Sequence, residues 1–376
     1  MENTAPAIFE LGLLLLLAAL AGRAARWVGL PAVIGYLAVG VAVSPFTPGY
    51  VANRDQLAIL ADIGVVLLLF EVGIEINPIR LARDARRLLV VVPLQVALTW
   101  AISGGVCIAL GMNPAGAAIV GLSIAMSSSV VIVNITRSRR RTTDAKTDEM
   151  LLSWSVIQDL LGVTAALVLL VVLGIGGRSL GSAALQLAAF VAIAGSAAFA
   201  VPWMLRRLKA EHDLFLLLSV GSGLLLAGVG SQFFGIPLAL AAFVAGLAIT
   251  ESEVAGEARE RMLPFRDVFA VMFFVSLGTI VDPATFGAAL PLMLAFIGLV
   301  VAAKVLPAWL AARFARLTTR PLQLAVGLGQ IGEFSYVLAA LALAAGLISP
   351  TIQAALIAAV VVTIAASSVL VRLRIA

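Results

Sequence analysis

Ser123-Ile-Ala-Met-Ser-Ser-Ser129 interrupts an apolar run that extends over residues 115–136. A second stretch, Gly327-Leu-Gly-Gln-Ile-Gly-Glu333, interrupts the run 322–346 in the same way. Each puts small and polar residues inside a segment long enough to cross a bilayer, which takes about 20 apolar residues. Two interrupted spans at matching places in two halves of a chain predict broken helices whose freed backbone groups build a site at membrane depth.

Working outward, the apolar segments are 7–22, 31–49, 57–77, 88–110, 115–136, 149–173, 183–205, 212–232, 236–251, 264–281, 286–309, 322–346 and 351–372. The chain has 376 residues, so thirteen spans use roughly 29 residues each with their loops and leave no room for a sizeable soluble domain. Charged residues make up 12% of the chain and apolar ones 62%, with a mean hydropathy of +1.12. Soluble proteins carry about 25% charged residues, which excludes that class. The first run is no cleaved signal peptide on this reading, since only Glu2 is charged ahead of it and Arg23 and Arg26 follow it.

Several chemistries drop out at once. Cys107 is the single cysteine and His212 the single histidine, so disulfides within the chain, zinc hydrolysis and Ser-His-Asp catalysis are excluded. Glycine pairs such as Gly221-Ser-Gly223 lack the strand before and the lysine after that a phosphate loop needs. The reading is therefore of a protein that is not an enzyme, has no cofactor and no resident metal, and binds no nucleic acid despite a formal charge of +5.

The basic residues have another role. With the N-terminus outside, the inside positions hold Arg23 and Arg26; Arg80, Arg83, Arg86 and Arg87; Arg137, Arg139, Arg140, Arg141 and Lys146; Arg206, Arg207 and Lys209; Arg259, Arg261 and Arg266; Arg313, Arg316 and Arg320; and Arg372 and Arg374. Only Arg54 and Arg178 fall outside, and Lys304 lies within a span. Positive charge collects on the cytoplasmic side of membrane proteins, so this split predicts thirteen spans, N-terminus out and C-terminus in. An odd count with this polarity allows two six-helix repeats of inverted topology, spans 1–6 and 8–13, around a linker helix at 183–205. The two interrupted segments are then the fifth span of each repeat. The fold expected is an all-α integral membrane protein with crossed broken helices.

Asp159 is the sharpest single feature. It follows Gln158 in Leu151-Leu-Ser-Trp-Ser-Val-Ile-Gln-Asp-Leu-Leu-Gly162. About ten residues into a span, at about 1.5 Å rise each, it sits near the bilayer midplane. A central Asp costs about 2.5–3.5 kcal/mol to insert, and intramembrane acids mark ion pathways by default. One carboxylate can hold a proton or a small cation, but not easily both. Lys304, in Leu299-Val-Val-Ala-Ala-Lys-Val-Leu-Pro307, is the basic residue within a span; its expected partner is Asp159, as a pair that forms when the cation leaves or as a permanent structural pair, the alternative being a side chain that snorkels to the inside face. Glu333, with Gln330, either completes the site or neutralises the half-helix ends. Ser127, Ser128 and Ser129 either replace water around an alkali ion or serve helix packing. Among the other acids, Glu71 fits a cap or interface role least well.

At these residues the chain resembles a known family. Gly35-Tyr-Leu-Ala-Val-Gly40, Gly64-Val-Val-Leu-Leu-Leu-Phe70 followed by Gly73-Ile-Glu75, Ser127-Ser-Ser-Val130, Gln158-Asp159 and Gly329-Gln-Ile-Gly-Glu-Phe334 resemble the Kef-type monovalent cation:proton antiporters, in the branch that holds the NapA-type sodium/proton exchangers. The resemblance covers essentially the whole chain. It implies an elevator-like homodimer of NhaA/NapA-like fold. Spans 1–3 and 8–10 would form the dimer scaffold and spans 4–6 and 11–13 the mobile core; in segments, 1–111 and 212–285 against 112–182 and 286–376, with 183–211 as linker. By matching motif, Asp159 is the cation and proton carboxylate, Gln158 its companion, Lys304 the lysine facing it, Glu333 the acid of the second crossing, and Ser127 to Ser129 the first crossing.

The Gln-Asp form is similar to that of potassium-linked, electroneutral members, so the resemblance implies exchange of K+, or Na+, for H+ and a part in pH homeostasis. Glu71 stands where that pattern has an aliphatic residue, which marks it as a candidate for pH tuning. Kef-type systems often carry a cytoplasmic sensing domain after the last span. The sequence ends at Ile375-Ala376, so a separate regulatory subunit or a C-terminal nucleotide-binding domain outside this sequence is implied. The expected location is the bacterial inner membrane. A gated potassium channel using the same broken helices is the alternative, against which stands the lack of a repeated carbonyl filter.

Overall fold

The structure, a computed structural model, describes residues 5–28, 30, 32–48, 52–75, 87–137, 142–173, 180–236, 238–250, 252–279, 286–315, 317, 319–332 and 334–372. Among the described residues every regular element is helical. The order is α1 (Ala5–Trp27), α2 (Ala32–Ala42), α3 (Arg54–Glu75), α4 (Leu88–Ala109), α5 (Pro114–Ala125), α6 (Ser129–Arg137), α7 (Ala145–Val172), α8 (Leu180–Arg207), α9 (His212–Phe234), α10 (Leu238–Leu247), α11 (Ala255–Thr279), α12 (Phe286–Leu299), a π-helical segment (Val300–Val305), α13 (Leu306–Phe314), α14 (Pro321–Leu328), α15 (Phe334–Ala344) and α16 (Pro350–Leu370).

The apolar segments of the sequence fall on these helices, and both interrupted segments are broken: 115–136 into α5 and α6, and 322–346 into α14 and α15. Among the described residues, eight helices are long and apolar enough to cross a membrane, and α2 and α15 are shorter apolar helices. In that set the α5–α6 run, Pro114–Thr136, is buried over 94% of its most apolar stretch, against 17% for Ala5–Trp27 and 12% for Ala184–Arg207. The broken helix is thus interior, and α1 and α8 turn most of their apolar surface outward.

Local chemistry sets the helix ends. Asn113 caps α5 by accepting from Ala115 N at 2.8 Å, with Pro114 in the first turn. Ser349 caps α16 from Ile352 N at 3.3 Å, again ahead of a proline. Proline suits the first turn because its missing N–H would have no partner there anyway. Gly235, at φ 63°, ends α9 in the left-handed conformation; its N–H and that of Ile236 return to Ser231 O and Gly230 O, both at 3.0 Å.

The chain divides into two compact units. The first is residues 1–77 with 189–284, and the second is residues 78–188 with 285–376. The division at 77/78 puts α4 in the second unit, whereas a boundary at 111 would group it with the first. In the first unit, Leu14, Ala18, Val39, Leu57, Met272 and Val275 form one buried cluster. In the second, Leu88, Val96, Ala125, Trp154, Ala308 and Leu324 belong to another, which surrounds the broken helices.

Two close helix contacts hold the first unit. On α2 and α11, a Cβ added at Gly40 would lie 2.0 Å from Val275 O and 2.7 Å from Gly278 Cα, and one at Gly278 would lie 2.3 Å from Leu37 O. On α3 and α10, a Cβ at Gly73 would lie 2.3 Å from Phe243 O, and one at Gly246 2.2 Å from Phe70 O. Each contact is glycine against glycine, with backbones touching. Packing of this closeness drives association where lipid is as apolar as the side chains. Replacing Gly40 by Ile forces α2 and α11 apart. The expected loss is about 3 kcal/mol, read as a lowered thermal midpoint of the detergent-solubilised protein. Gly105→Ala, whose methyl meets nothing within 4 Å, should stay within about 0.5 kcal/mol of the parent.

Candidate functional site

The two helix breaks meet. α5 ends at Ala125, Met126 is extended (φ −86°, ψ 134°), and α6 resumes at Ser129. α14 ends at Leu328, and residues 329–332 carry no helix. Gly332 N donates to Met126 O at 2.9 Å. Gln330 brackets the Ser128 backbone: its Oε1 accepts from Ser128 N at 3.0 Å and its Nε2 donates to Ser128 O at 3.1 Å. Ser127 Oγ donates to Leu328 O at 2.8 Å. A Cβ on Gly332 would fall 2.8 Å from Ser127 C and O, so this crossing requires glycine.

Lys304 ties the crossing together. It is fully buried, and its ammonium donates to Ile124 O at 3.1 Å and to Gln330 O at 2.6 Å. These carbonyls come one from each break. A helix C-terminal end carries roughly half a negative charge, so a cation between two such ends is favourable. Lys304 lies in the π-helical segment, and such bulges are frequent at functional sites.

Helix α7 supplies the carboxylate. Gln158 Nε2 donates to Ala125 O at 3.3 Å and to Gln95 Oε1 at 3.1 Å. A Cβ on Gly162 would lie 2.0 Å from Met126 Cε, so α7 abuts the end of α5 at that level. Asp159 is three residues before Gly162, on the same face of the helix, and is buried at 6% exposure. Ser155, one turn earlier on that face, is also buried. Hydrogen bonds in the second unit thus bring Ser127, Ser128, Gln158, Lys304 and Gln330 to one crossing, with Asp159 next to Gln158 on α7 and Ser129 at the start of α6. Ser128 Oγ accepts from Val131 N at 3.2 Å and so caps α6. Ser129 Oγ and Gln158 Oε1 are buried without a hydrogen-bond partner among the described residues. Glu333 lies outside the described residues.

Helices α4 and α16 contribute residues that sequence reasoning did not single out. Gln95 Nε2 donates to Thr99 Oγ1 at 2.7 Å, and Thr99 Oγ1 donates to Ala303 O at 2.6 Å. Thr363 Oγ1 accepts from Ile331 N at 3.2 Å, and Ser367 Oγ donates to Val326 O at 2.8 Å. A lone amide inside an apolar helix was the available signal for Gln95. Among the described residues no group of three or more His, Cys, Asp or Glu side chains gathers. Among the described residues the acceptors at and beside the crossing are carbonyls, hydroxyls, an amide and one carboxylate, a weak all-oxygen set that suits a monovalent hard cation better than zinc or calcium.

Glu71 belongs to the first unit. It is fully buried, with Arg259 Nε 2.7 Å from Oε1 and the Arg266 guanidinium 2.6 Å from Oε2. Arg266 also meets Asp267 Oδ1 at 2.5 Å. Glu71 on α3 is thus clamped by two arginines of α11.

Comparison with known proteins places this architecture. The chain belongs to the family of transmembrane sodium/hydrogen exchangers, whose profile matches residues 12–373. It is 30% identical to the putative cation/proton antiporter YbaL of Escherichia coli K12, over 98% of this chain and 69% of that protein. It is 27% identical to the ammonium/H+ antiporter subunit AmhT of Alkalihalophilus pseudofirmus OF4, over 90% of this chain and 87% of that protein. The structure of the sodium proton antiporter MjNhaP1 from Methanocaldococcus jannaschii at pH 8 matches with a TM-score of 0.74 at 19% identity, over 98% of each chain, a likeness of fold. The chain is therefore an integral membrane protein of this family, helical in every regular element among the described residues.

Substitutions at two residues test the electrostatics. Lys304→Met removes the donor from two buried carbonyls, each worth about 1–3 kcal/mol when left without one, so the thermal midpoint should fall even where the protein still inserts. Glu71→Gln leaves two guanidiniums around a neutral amide and should cost about 3–5 kcal/mol, whereas Glu71→Asp should recover part of that loss; thermal unfolding in detergent reads both.

Proposed function

We propose that this protein is a secondary antiporter that exchanges a monovalent cation, K+ in preference to Na+, for H+, with Asp159 binding either ion in turn. The observation that carries the reading is the crossing of two broken helices against the face of α7 that bears Asp159. A carboxylate buried there is costly as a bare anion, so it holds a proton or a cation at all times. One cation out for one proton in moves no net charge, which makes the exchange electroneutral. Lys304, Gln330 and the Ser127–Ser129 break hold the backbone oxygens in place. The names of YbaL and AmhT, both antiporters, support cation/proton exchange.

The Gln158-Asp159 pair and Gly329-Gln-Ile-Gly-Glu-Phe334 support assignment to the Kef-type, NapA-like branch. The charge pattern supports thirteen spans with the N-terminus outside and the C-terminus in the cytoplasm of a bacterial inner membrane. Inverted repeats draw support from the glycine contacts. The α2–α11 and α3–α10 pairs exchange when the two halves are swapped. Gly40 and Gly246 each follow a proline, Pro31 and Pro237, at the same spacing, and Gly73 and Gly278 each precede one, Pro78 and Pro283, at the same spacing. The unit that carries Asp159 serves as the mobile carrier of an elevator-type homodimer, and the first unit as its scaffold. Regulation by a separate subunit fits the word subunit in the name of AmhT.

The test is a proteoliposome assay with a trapped pH dye, comparing K+, Na+, Rb+, Li+ and NH4+ gradients with and without an imposed voltage. Asp159→Asn should abolish cation-driven proton movement, and retained exchange would remove Asp159 from the mechanism. Protons and cations compete for the same oxygens, so apparent cation affinity should improve as pH rises. Below the carboxyl pKa it should weaken by about tenfold per pH unit. A K+ gradient that moves no protons, or a rate that follows the imposed voltage, would contradict electroneutral K+ exchange.

A further inference from the structure

Gln95 and Thr99 stand one helical turn apart on α4, and both are buried. Their hydrogen bonds form a chain whose direction is fixed at one end. Ala303 O is a carbonyl and can only accept, so Thr99 must give it the hydroxyl hydrogen, at 2.6 Å. The hydroxyl then offers only lone pairs to Gln95, which turns its NH2 toward Thr99 at 2.7 Å. Gln95 therefore shows its oxygen to Gln158, and Gln158 meets it with Nε2 at 3.1 Å. The second hydrogen of that Nε2 goes to Ala125 O at 3.3 Å, another group that only accepts. Turned over, the Gln158 amide would set its oxygen against two acceptors. It thus keeps both hydrogens on these partners and leaves Oε1 buried without a hydrogen-bond partner among the described residues.

We propose that Gln95 and Thr99 are positioning residues of the transport site: their one-way hydrogen-bond chain, anchored on the carbonyl that precedes Lys304, holds Gln158 with its oxygen, rather than its NH2, presented as a cation ligand next to Asp159. The proposal rests on the reading of Asp159 as the ion-binding carboxylate. An NH2 in that place repels a cation and supplies no ligand. An oxygen adds a neutral ligand and leaves Asp159 as the site's negative charge, which keeps one proton exchanged per cation. The anchor on the π-helical segment also links the orientation of this ligand to the stretch of backbone that aims Lys304.

The test uses the full chain in proteoliposomes with K+ as the probe. Thr99→Val removes the hydroxyl at nearly constant shape, and Gln95→Met removes the amide. Each should raise the apparent KM for K+ by about tenfold, the loss of one well-placed hydrogen-bonding ligand, while the maximal rate changes by less than about threefold. Thr99→Ser, which keeps the hydroxyl, should restore the parent KM. An equal rise in the Ser and Val variants overturns the proposal, because packing and not the hydroxyl then explains it. Parent-like KM in folded Thr99→Val and Gln95→Met, with Asp159→Asn inactive, also overturns it while the site reading stands. Exchange that survives Asp159→Asn removes the site reading and this proposal together. Should Thr99→Val not yield folded protein, Gln95→Met and Thr99→Ser carry the same comparison.

Discussion

A peptide group released from a helix at membrane depth has no water to turn to, and everything at the centre of the second unit follows from how those groups are satisfied. α5 and α14 both stop where they would be expected to continue, exposing carbonyls at residues 124–125 and 328–330. Lys304, Gln158, Ser127 and Gln330 supply the donors, and each reaches across to a different segment. The crossing is therefore stabilised by the same contacts that make it polar, and it is the polar interior that permits a carboxylate beside it. Removing the breaks would leave Lys304 and Gln158 without carbonyls to bind, and removing the side chains would leave the breaks unsatisfied.

The first unit solves a different problem. It has no helix break among its described residues, and its helices approach until backbone meets backbone at Gly40–Gly278 and Gly73–Gly246. Close approach of small residues lets van der Waals contact replace a hydrophobic drive that lipid cannot provide. Glu71 with Arg259 and Arg266 adds a charged tie between α3 and α11 near the same helices. Buried ion pairs of this kind add little net stability but are costly to break, so they favour one arrangement of α3 and α11 over alternatives.

Much of this was legible in the residues. The apolar runs lie on helices, and the small polar stretches at 123–129 and 327–333 announced the breaks because no uniform span tolerates them. Asp159 and Lys304 stood out as charges in oil. Glu71 was legible as an anomaly, but its arginines were not, because Arg259 and Arg266 lie nearly two hundred residues away and read as ordinary inside-loop charges. Gln95 and Thr99 were passed over for a similar reason: an amide and a hydroxyl in an apolar helix announce a need for partners without saying which.

The sequence by itself determined the class of solvent, the helical nature of the apolar segments among the described residues, the places where helices break and the presence of a carboxylate within an apolar helix, since each of these depends on composition and spacing along one stretch of chain. Tertiary structure alone decided which carbonyl each buried donor reaches, that Lys304 bridges both breaks, and which way round the Gln158 amide is held. Those outcomes depend on groups brought together from segments 26 to 204 residues apart, and hydrogen bonds between distant segments leave no periodicity for a sequence to display.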